Sequence, residues 1–132
     1  MNINLKLTPA EWEIMETLWD LGGARSIRDV LEHAFPNGEK AYTTVQTTMN
    51  TLHKKGLLKR KKVGLVHFYT PTRTRQDSVR AEMSSLLARM FDGSIPKLAN
   101  SLLSLDSLSL EELEEIKRLL RRKETELRGE HS

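Results

Sequence analysis

The chain has 132 residues, with 21 Lys+Arg against 18 Asp+Glu for a formal net charge of +3, a hydrophobic fraction of 38% and no cysteine. That length suits one functional unit, a compact module with a small appendage, and the missing thiols exclude disulfides, thiolate zinc sites, dithiol redox chemistry and a cysteine nucleophile. There is no run of about 18 apolar residues, and Met1 to Leu7 carries one Lys and no apolar stretch, so neither a membrane span nor a signal peptide is expected and the chain reads as cytoplasmic, without direct membrane association.

Thr8-Pro9-Ala10-Glu11 reads as a helix start, with threonine capping, proline at the first helical position and Glu11 completing a capping box. Trp12, Met15, Leu18 and Trp19 recur at helical spacing as a core stripe, and Gly22-Gly23 ends the element. Ser26-Ile27-Arg28-Asp29 opens a second helix with Ile27, Val30, Leu31 and Ala34 inward, closed by Phe35-Pro36-Asn37-Gly38. A third helix is predicted from about Tyr42 to Lys55, burying Val45, Met49 and Leu52, with Gly56 as its stop.

The other face of that third helix carries Thr43, Gln46, Thr47, Asn50 and Lys54. A helix facing only water favours Glu, Lys and Arg, whereas Thr and Asn are poorer helix formers, so something besides helix stability selects this face. In a DNA major groove such side chains hydrogen-bond base edges and touch thymine methyls without placing an acid near phosphate. Leu57 to Lys62 and Leu65 to Pro71 then read as two short strands around a Val63-Gly64 turn. Lys54, Lys55, Lys59, Arg60, Lys61 and Lys62 fall within nine consecutive residues, a stripe suited to phosphate. The charge is asymmetric: residues 1–75 hold 12 Lys+Arg against 7 Asp+Glu, and residues 76–132 hold 9 against 11.

From about Thr74 a second helical segment begins, in which Val79, Met83, Leu86, Leu87, Met90 and Phe91 are spaced for one buried face and Asp92-Gly93 is the end. Ser109-Leu110-Glu111-Glu112 is a capping box opening a last helix, with Leu113, Ile116, Leu120 and Leu127 at a 3-4-7 spacing. Ten of the 21 leucines lie between Leu98 and Leu127, more apolar surface than about thirty residues bury alone, so the segment folds back or meets a second copy. The second is favoured, because DNA-reading modules of this size act as dimers on two-fold sites.

Chemistry is absent elsewhere. His33, His53, His67 and His131 have no metal-ligand spacing, so no metal or cofactor is expected. There is no glycine-rich phosphate loop and no nucleophile elbow, and the Glu111, Glu112, Glu114 and Glu115 run is a solvated helix start, so no catalytic residue is assigned and the chain does not read as an enzyme.

Leu7-Thr8-Pro9-Ala10-Glu11-Trp12-Glu13-Ile14-Met15 with Leu18-Trp19, then Tyr42-Thr43-Thr44-Val45-Gln46-Thr47 with Leu52 and Lys55-Gly56-Leu57-Leu58, and finally Phe68-Tyr69-Thr70-Pro71, resemble the penicillinase repressor family of bacterial winged-helix transcriptional repressors, over residues 5 to about 128. The resemblance implies a homodimer on a dyad-symmetric double-stranded operator. Its fold class would be mainly α with a small β-hairpin: a winged helix-turn-helix DNA-binding domain over residues 1–73, then a helical dimerisation region over 74–132. Major-groove contacts carry over to Tyr42, Thr43, Thr44, Gln46 and Thr47, with Asn50 and Lys54 added from the helical-face argument; wing contacts carry over to Arg60, Lys61 and Lys62, and dimerisation falls to Leu102, Leu113, Ile116 and Leu120. The copper-responsive branch carries a cysteine-rich tail, which a chain without Cys does not match. The resistance branch is inactivated by a membrane sensor-protease cutting an Asn-Phe bond; the corresponding neighbourhood here is Asn100-Ser101-Leu102, so the scissile pair is not preserved and cleavage there is an expectation from position alone. The competing readings are a winged-helix protein-interaction adaptor and a non-specific architectural DNA binder.

Overall fold

The computed structural model describes residues 6–129, so the reading of Met1 to Leu5 and the histidine at position 131 lie outside the described residues. Six helices and one hairpin follow in order: α1 (Pro9–Leu21), α2 (Ile27–Ala34), α3 (Tyr42–Lys54), β1 (Leu58–Val63), β2 (Val66–Pro71), α4 (Arg75–Met90), α5 (Ile95–Leu103) and α6 (Leu110–Gly129). The chain divides between Leu86 and Leu87 into two compact units. It is mainly helical with a two-stranded antiparallel sheet, the fold class expected of a winged helix-turn-helix.

In the first unit the helix starts are fixed by reciprocal caps. The Thr8 hydroxyl accepts from the Glu11 amide at 3.1 Å while the Glu11 carboxylate accepts from the Thr8 amide at 2.9 Å, and Ser26 and Asp29 repeat the exchange at 3.1 and 3.0 Å. Such a cap is worth about 0.5–2 kcal/mol against alanine. The capped helices converge on one core: Ile14, Met15 and Leu18 of α1, Ile27 and Val30 of α2, and Val45, Met49 and Leu52 of α3, closed by Phe35, Leu57, Leu58 and Tyr69. Trp12 and Trp19 pack edge to face at 5.5 Å without being fully buried, and the Trp19 indole donates to the Arg73 carbonyl at 2.9 Å.

Glu11 has a second task. It is only 6% exposed and accepts from the Lys55 ammonium at 2.7 and 2.9 Å, tying the start of α1 to the residue that follows α3. Burial pushes this carboxyl up, but the Lys55 hydrogen bond, the Thr8 backbone amide and the Lys55 charge outweigh it, and Glu11 sits below its ordinary 4.5.

The hairpin pairs Leu58 with Pro71 and Val63 with Val66, so the turn is Gly64-Leu65, one residue later than the Val63-Gly64 turn expected from sequence. The reason is conformational: Gly64 takes φ +65° at the first turn position, which a β-branched valine resists, and Val63 is left to pair across the ladder. The loop before α2 adds two bonds to β2, with Arg25 N–H to Tyr69 C=O at 2.9 Å and the reverse at 2.7 Å. The start of α4 is held to the same unit by Arg75 to Glu16 at 3.0 Å and by the Leu7 amide to Glu82 at 3.2 Å.

The buried face expected of α4 is not formed. Ser78 is the buried residue of α4; Val79, Leu86, Leu87 and Phe91 are half-buried, and Met83 and Met90 are exposed. The spacing was helical, but the described chain supplies no element to cover that stripe.

In the second unit Asp92 (φ +52°) and Gly93 (φ +76°) end α4, Ser94 caps α5 through the Lys97 amide at 3.2 Å, and Ser109 and Glu112 exchange amide bonds of 3.0 Å at the start of α6. Intrahelical pairs such as Arg128 to Glu124 at 3.1 Å line α6. No described residue of this unit is buried, and Leu102, Leu103, Leu105, Leu110, Leu119, Leu120 and Leu127 are exposed.

Candidate nucleic-acid interface

Because Val45, Met49 and Leu52 are committed to the core, helical geometry turns Thr43, Gln46, Thr47, Asn50 and Lys54 the other way. Tyr42, Thr43, Thr44, Gln46, Thr47 and Lys54 are exposed; Asn50 is half-buried. The helix opens at Ala41 with no side-chain cap and no acid in its first turn, so the positive end of its dipole is uncompensated. The threonines are less versatile than their formula suggests. Thr47, Thr48 and Thr51 donate their hydroxyl protons to the carbonyls of Thr43, Thr44 and Thr47 at 2.9, 3.0 and 3.0 Å. A hydroxyl has one proton, so toward a ligand Thr47 offers lone pairs and a methyl, whereas the exposed Gln46 amide offers both a donor and an acceptor.

Asn50 differs from its neighbours. Its carbonyl oxygen accepts from the Arg60 guanidinium at 3.1 Å and from the Tyr69 hydroxyl at 3.0 Å, joining α3, β1 and β2 at one atom. Its place in the structure is thus a strut that fixes the angle between α3 and the hairpin. Tyr69 is buried and could not be singled out from sequence, where it reads as one more strand aromatic.

Strand alternation separates the three wing cations. Arg60 and Lys62 oppose Tyr69 and His67 on the face toward α3, whereas Lys61 opposes Phe68 on the outer face. A cleft of about 730 Å³ lies between the start of α2, α3 and β2, lined among others by Arg28, Tyr42, Gln46, Asn50, Arg60 and His67. Lys54, Lys61 and Lys62 do not line it. Arg28 sits 5.7 Å above the Tyr42 ring, a cation held beside the reading face that the sequence flagged only as one residue of a helix start. His67 has its Nδ1 buried without a hydrogen-bond partner; burial and the charges of Arg60, Lys62 and His53 push its pKa below the ordinary 6.5.

No Asp or Glu occurs from Lys40 to Gln76, the stretch that makes α3 and the hairpin. Asp29 lines the cleft, and its carboxylate is engaged by the Ser26 amide. The arrangement suits a polyanion whose surface also presents hydrogen-bonding edges. Among the described residues no group of three or more His, Asp or Glu is placed to hold a metal, and no helix is long and apolar enough to cross a membrane. Leu102, Leu113, Ile116 and Leu120 all lie in the second unit, the first and last exposed and the other two half-buried; Asn100 and Ser101 are exposed within α5.

The chain is similar to known proteins over most of its length. A family model described as "Penicillinase repressor" matches residues 7–122. The chain is 29% identical over 115 residues to a penicillinase repressor of Bacillus licheniformis, covering 87% of this chain and 89% of that one. It is 24% identical over 122 residues to the methicillin resistance regulatory protein MecI of Staphylococcus aureus strain N315, covering 92% and 98%. Among solved structures, the DNA-binding domain of the repressor BlaI superposes with a TM-score of 0.51 at 28% identity, covering 58% of this chain and 93% of that one.

Proposed function

The chain belongs to the penicillinase repressor family, and from that premise we propose that it is a sequence-specific transcriptional repressor, binding a dyad-symmetric DNA operator as a homodimer and occluding the promoter. No catalytic step is involved. The observation that carries the reading is the outward face of α3, uncharged and hydrogen-bonding at Tyr42, Thr43, Thr44, Gln46 and Thr47, set beside an acid-free cationic hairpin. In the major groove, Gln46 pairs with a base edge and the threonine methyls meet thymine, while Arg28, Arg60, Lys61 and Lys62 neutralise phosphates and set register without reading sequence.

Residues 1–73 are assigned to DNA and the helices from 74 onward to dimerisation. The exposed leucines of α5 and α6 support the second assignment, since a unit in which no described residue is buried gains its apolar contacts from a partner. Two recognition helices then meet half-sites about one helical turn apart. Relief of repression follows an inducer-linked signal, with cleavage near Asn100 and Ser101 by a membrane sensor-protease as the route; because both lie inside α5, that turn must unwind first.

The test is a gel-shift titration on DNA from the protein's own upstream region and on a random duplex pool, with unrelated duplex as competitor. A discrete shift that survives competition is expected. Gln46→Ala should relax base preference, and Lys61→Ala with Lys62→Ala, which removes two phosphate contacts from each of two protomers, should lower the salt slope by roughly 4 while weakening all sequences alike. Equal loss on specific and random DNA for Gln46→Ala would remove α3 as the reader, and no shift at low salt would turn the reading to a protein-docking adaptor.

A further inference from the structure

Among the described residues, the tip of the hairpin carries the most exposed large apolar side chain. Leu65 is 93% exposed, with Val63 at 57% and Val66 at 45% beside it, and none of the three belongs to the core. Tight hairpin turns favour Gly, Asn, Asp and Ser, which water solvates cheaply. Gly64 already supplies the positive φ that this turn requires, so backbone conformation does not call for leucine at the next position. Immediately before the tip stand Lys59, Arg60, Lys61 and Lys62, and no acid occurs anywhere on the hairpin. An apolar point on a cationic arm fits an occupant that is anionic outside and apolar within, which describes a stacked base step behind its phosphates.

We propose that Leu65, shouldered by Val63 and Val66, is a wedge that enters the DNA minor groove flanking the base pairs faced by α3 and partly unstacks one base step there. The inference rests on the DNA-binding reading above and adds to it a residue that selects sequence through deformability. The reach is adequate: six strand residues at about 3.3 Å each extend roughly 20 Å, and half a turn of duplex separates adjacent grooves by about 17 Å. Lys61 and Lys62, on opposite faces of the hairpin, take the phosphates on either side of the narrow groove as the tip enters. Pyrimidine–purine steps such as TA and CA unstack most cheaply, so the wedge selects for them at a position no polar side chain reads.

The experiment uses the full-length chain. Sequences are enriched from a random duplex pool, and 2-aminopurine is then placed at each flanking position of the enriched site, where unstacking raises its fluorescence. Wild type should raise it at one flank of each half-site and enrich TA or CA there. Leu65→Ala, which removes no core contact, should abolish both signals and weaken binding about tenfold with the α3 consensus and the salt slope unchanged; Leu65→Met should restore them. Wild-type enrichment of a consensus with fluorescence and flank preference untouched by Leu65→Ala would overturn the wedge and leave the DNA-binding reading standing. Failure of wild type to enrich any sequence would overturn both. Loss of self-association in Leu65→Ala, with DNA signals intact, would assign the tip to protein contact instead.

Discussion

The two units use similar helical patterning and end in opposite states. Residues 6–86 hold all twelve members of a closed hydrophobic core; residues 87–129 contain eleven of the chain's leucines and bury no residue. In the first unit α1, α2, α3 and the hairpin present apolar faces in several directions, so each stripe meets another. In the second, α5 and α6 are capped, ion-paired and regular, and still leave Leu102, Leu119 and Leu120 in water. Local helix rules are obeyed equally well in both; what differs is whether the chain itself provides the opposing surface. The first unit closes its own core, and the described residues of the second leave their leucines uncovered.

The sharpest way to break that contrast is at matched leucines. Leu18 is fully buried, so Leu18→Ala should cost about 2–5 kcal/mol of unfolding free energy. Leu102→Ala should cost under about 0.5 kcal/mol in dilute protein, the norm for a surface substitution, and more as concentration rises. Denaturant titrations at two protein concentrations check both, and equal, concentration-independent costs would mean that the second unit is self-sufficient. Next in size, Leu120→Asp should convert the dimer to monomer in sedimentation and lower operator affinity about 100-fold or more, because the half-sites lose their linkage. A normal dimer with normal binding would place the interface elsewhere.

Within the first unit, Lys55→Ala leaves the Glu11 carboxylate buried without its cation and should cost about 1–3 kcal/mol. The pH dependence has a definite sign. Glu11 titrates below its ordinary 4.5 when folded, so its stabilisation is present above that pH and is lost as pH falls through the lowered folded value. Glu11→Gln should flatten this acid limb in pH-dependent melts. A smaller effect within this unit is expected of Tyr69→Phe, which removes one of two donors to Asn50 and should cost about 1 kcal/mol. It also loosens the angle between α3 and the hairpin, so specific affinity should drop more than non-specific affinity; an equal drop would deny Asn50 its role as a strut.

Much of the candidate site was legible in sequence. Val45, Met49 and Leu52 fix the inner face of α3, and that alone determines that Gln46 and Thr47 look outward. The exceptions have physical causes. Asn50 shares the outward face by helical angle, yet a hairpin ten residues further on brings Arg60 and Tyr69 onto its carbonyl, a long-range meeting no periodicity encodes. Lys61 and Lys62 look like a pair in sequence, but a strand sends neighbours to opposite faces, and the register that decides which one faces α3 is set by where glycine can turn. Arg28 gives no signal until its helix is seen to pass over Tyr42.

The sequence by itself determined where α1 to α4 start and stop and where α6 opens, the apolar stripes of α1, α2, α3 and α6, and where positive charge gathers without acid, because these depend on neighbours within about four residues; α5 is not among the helices read from the sequence. Only the tertiary structure decided which stripes are covered, and that Asn50 is held by two strands while Gln46 is not. Those outcomes depend on surfaces far apart in the chain coming together, and an apolar stripe carries the same local pattern whether another element covers it, as for α3, or leaves it exposed, as for the leucines of α5 and α6.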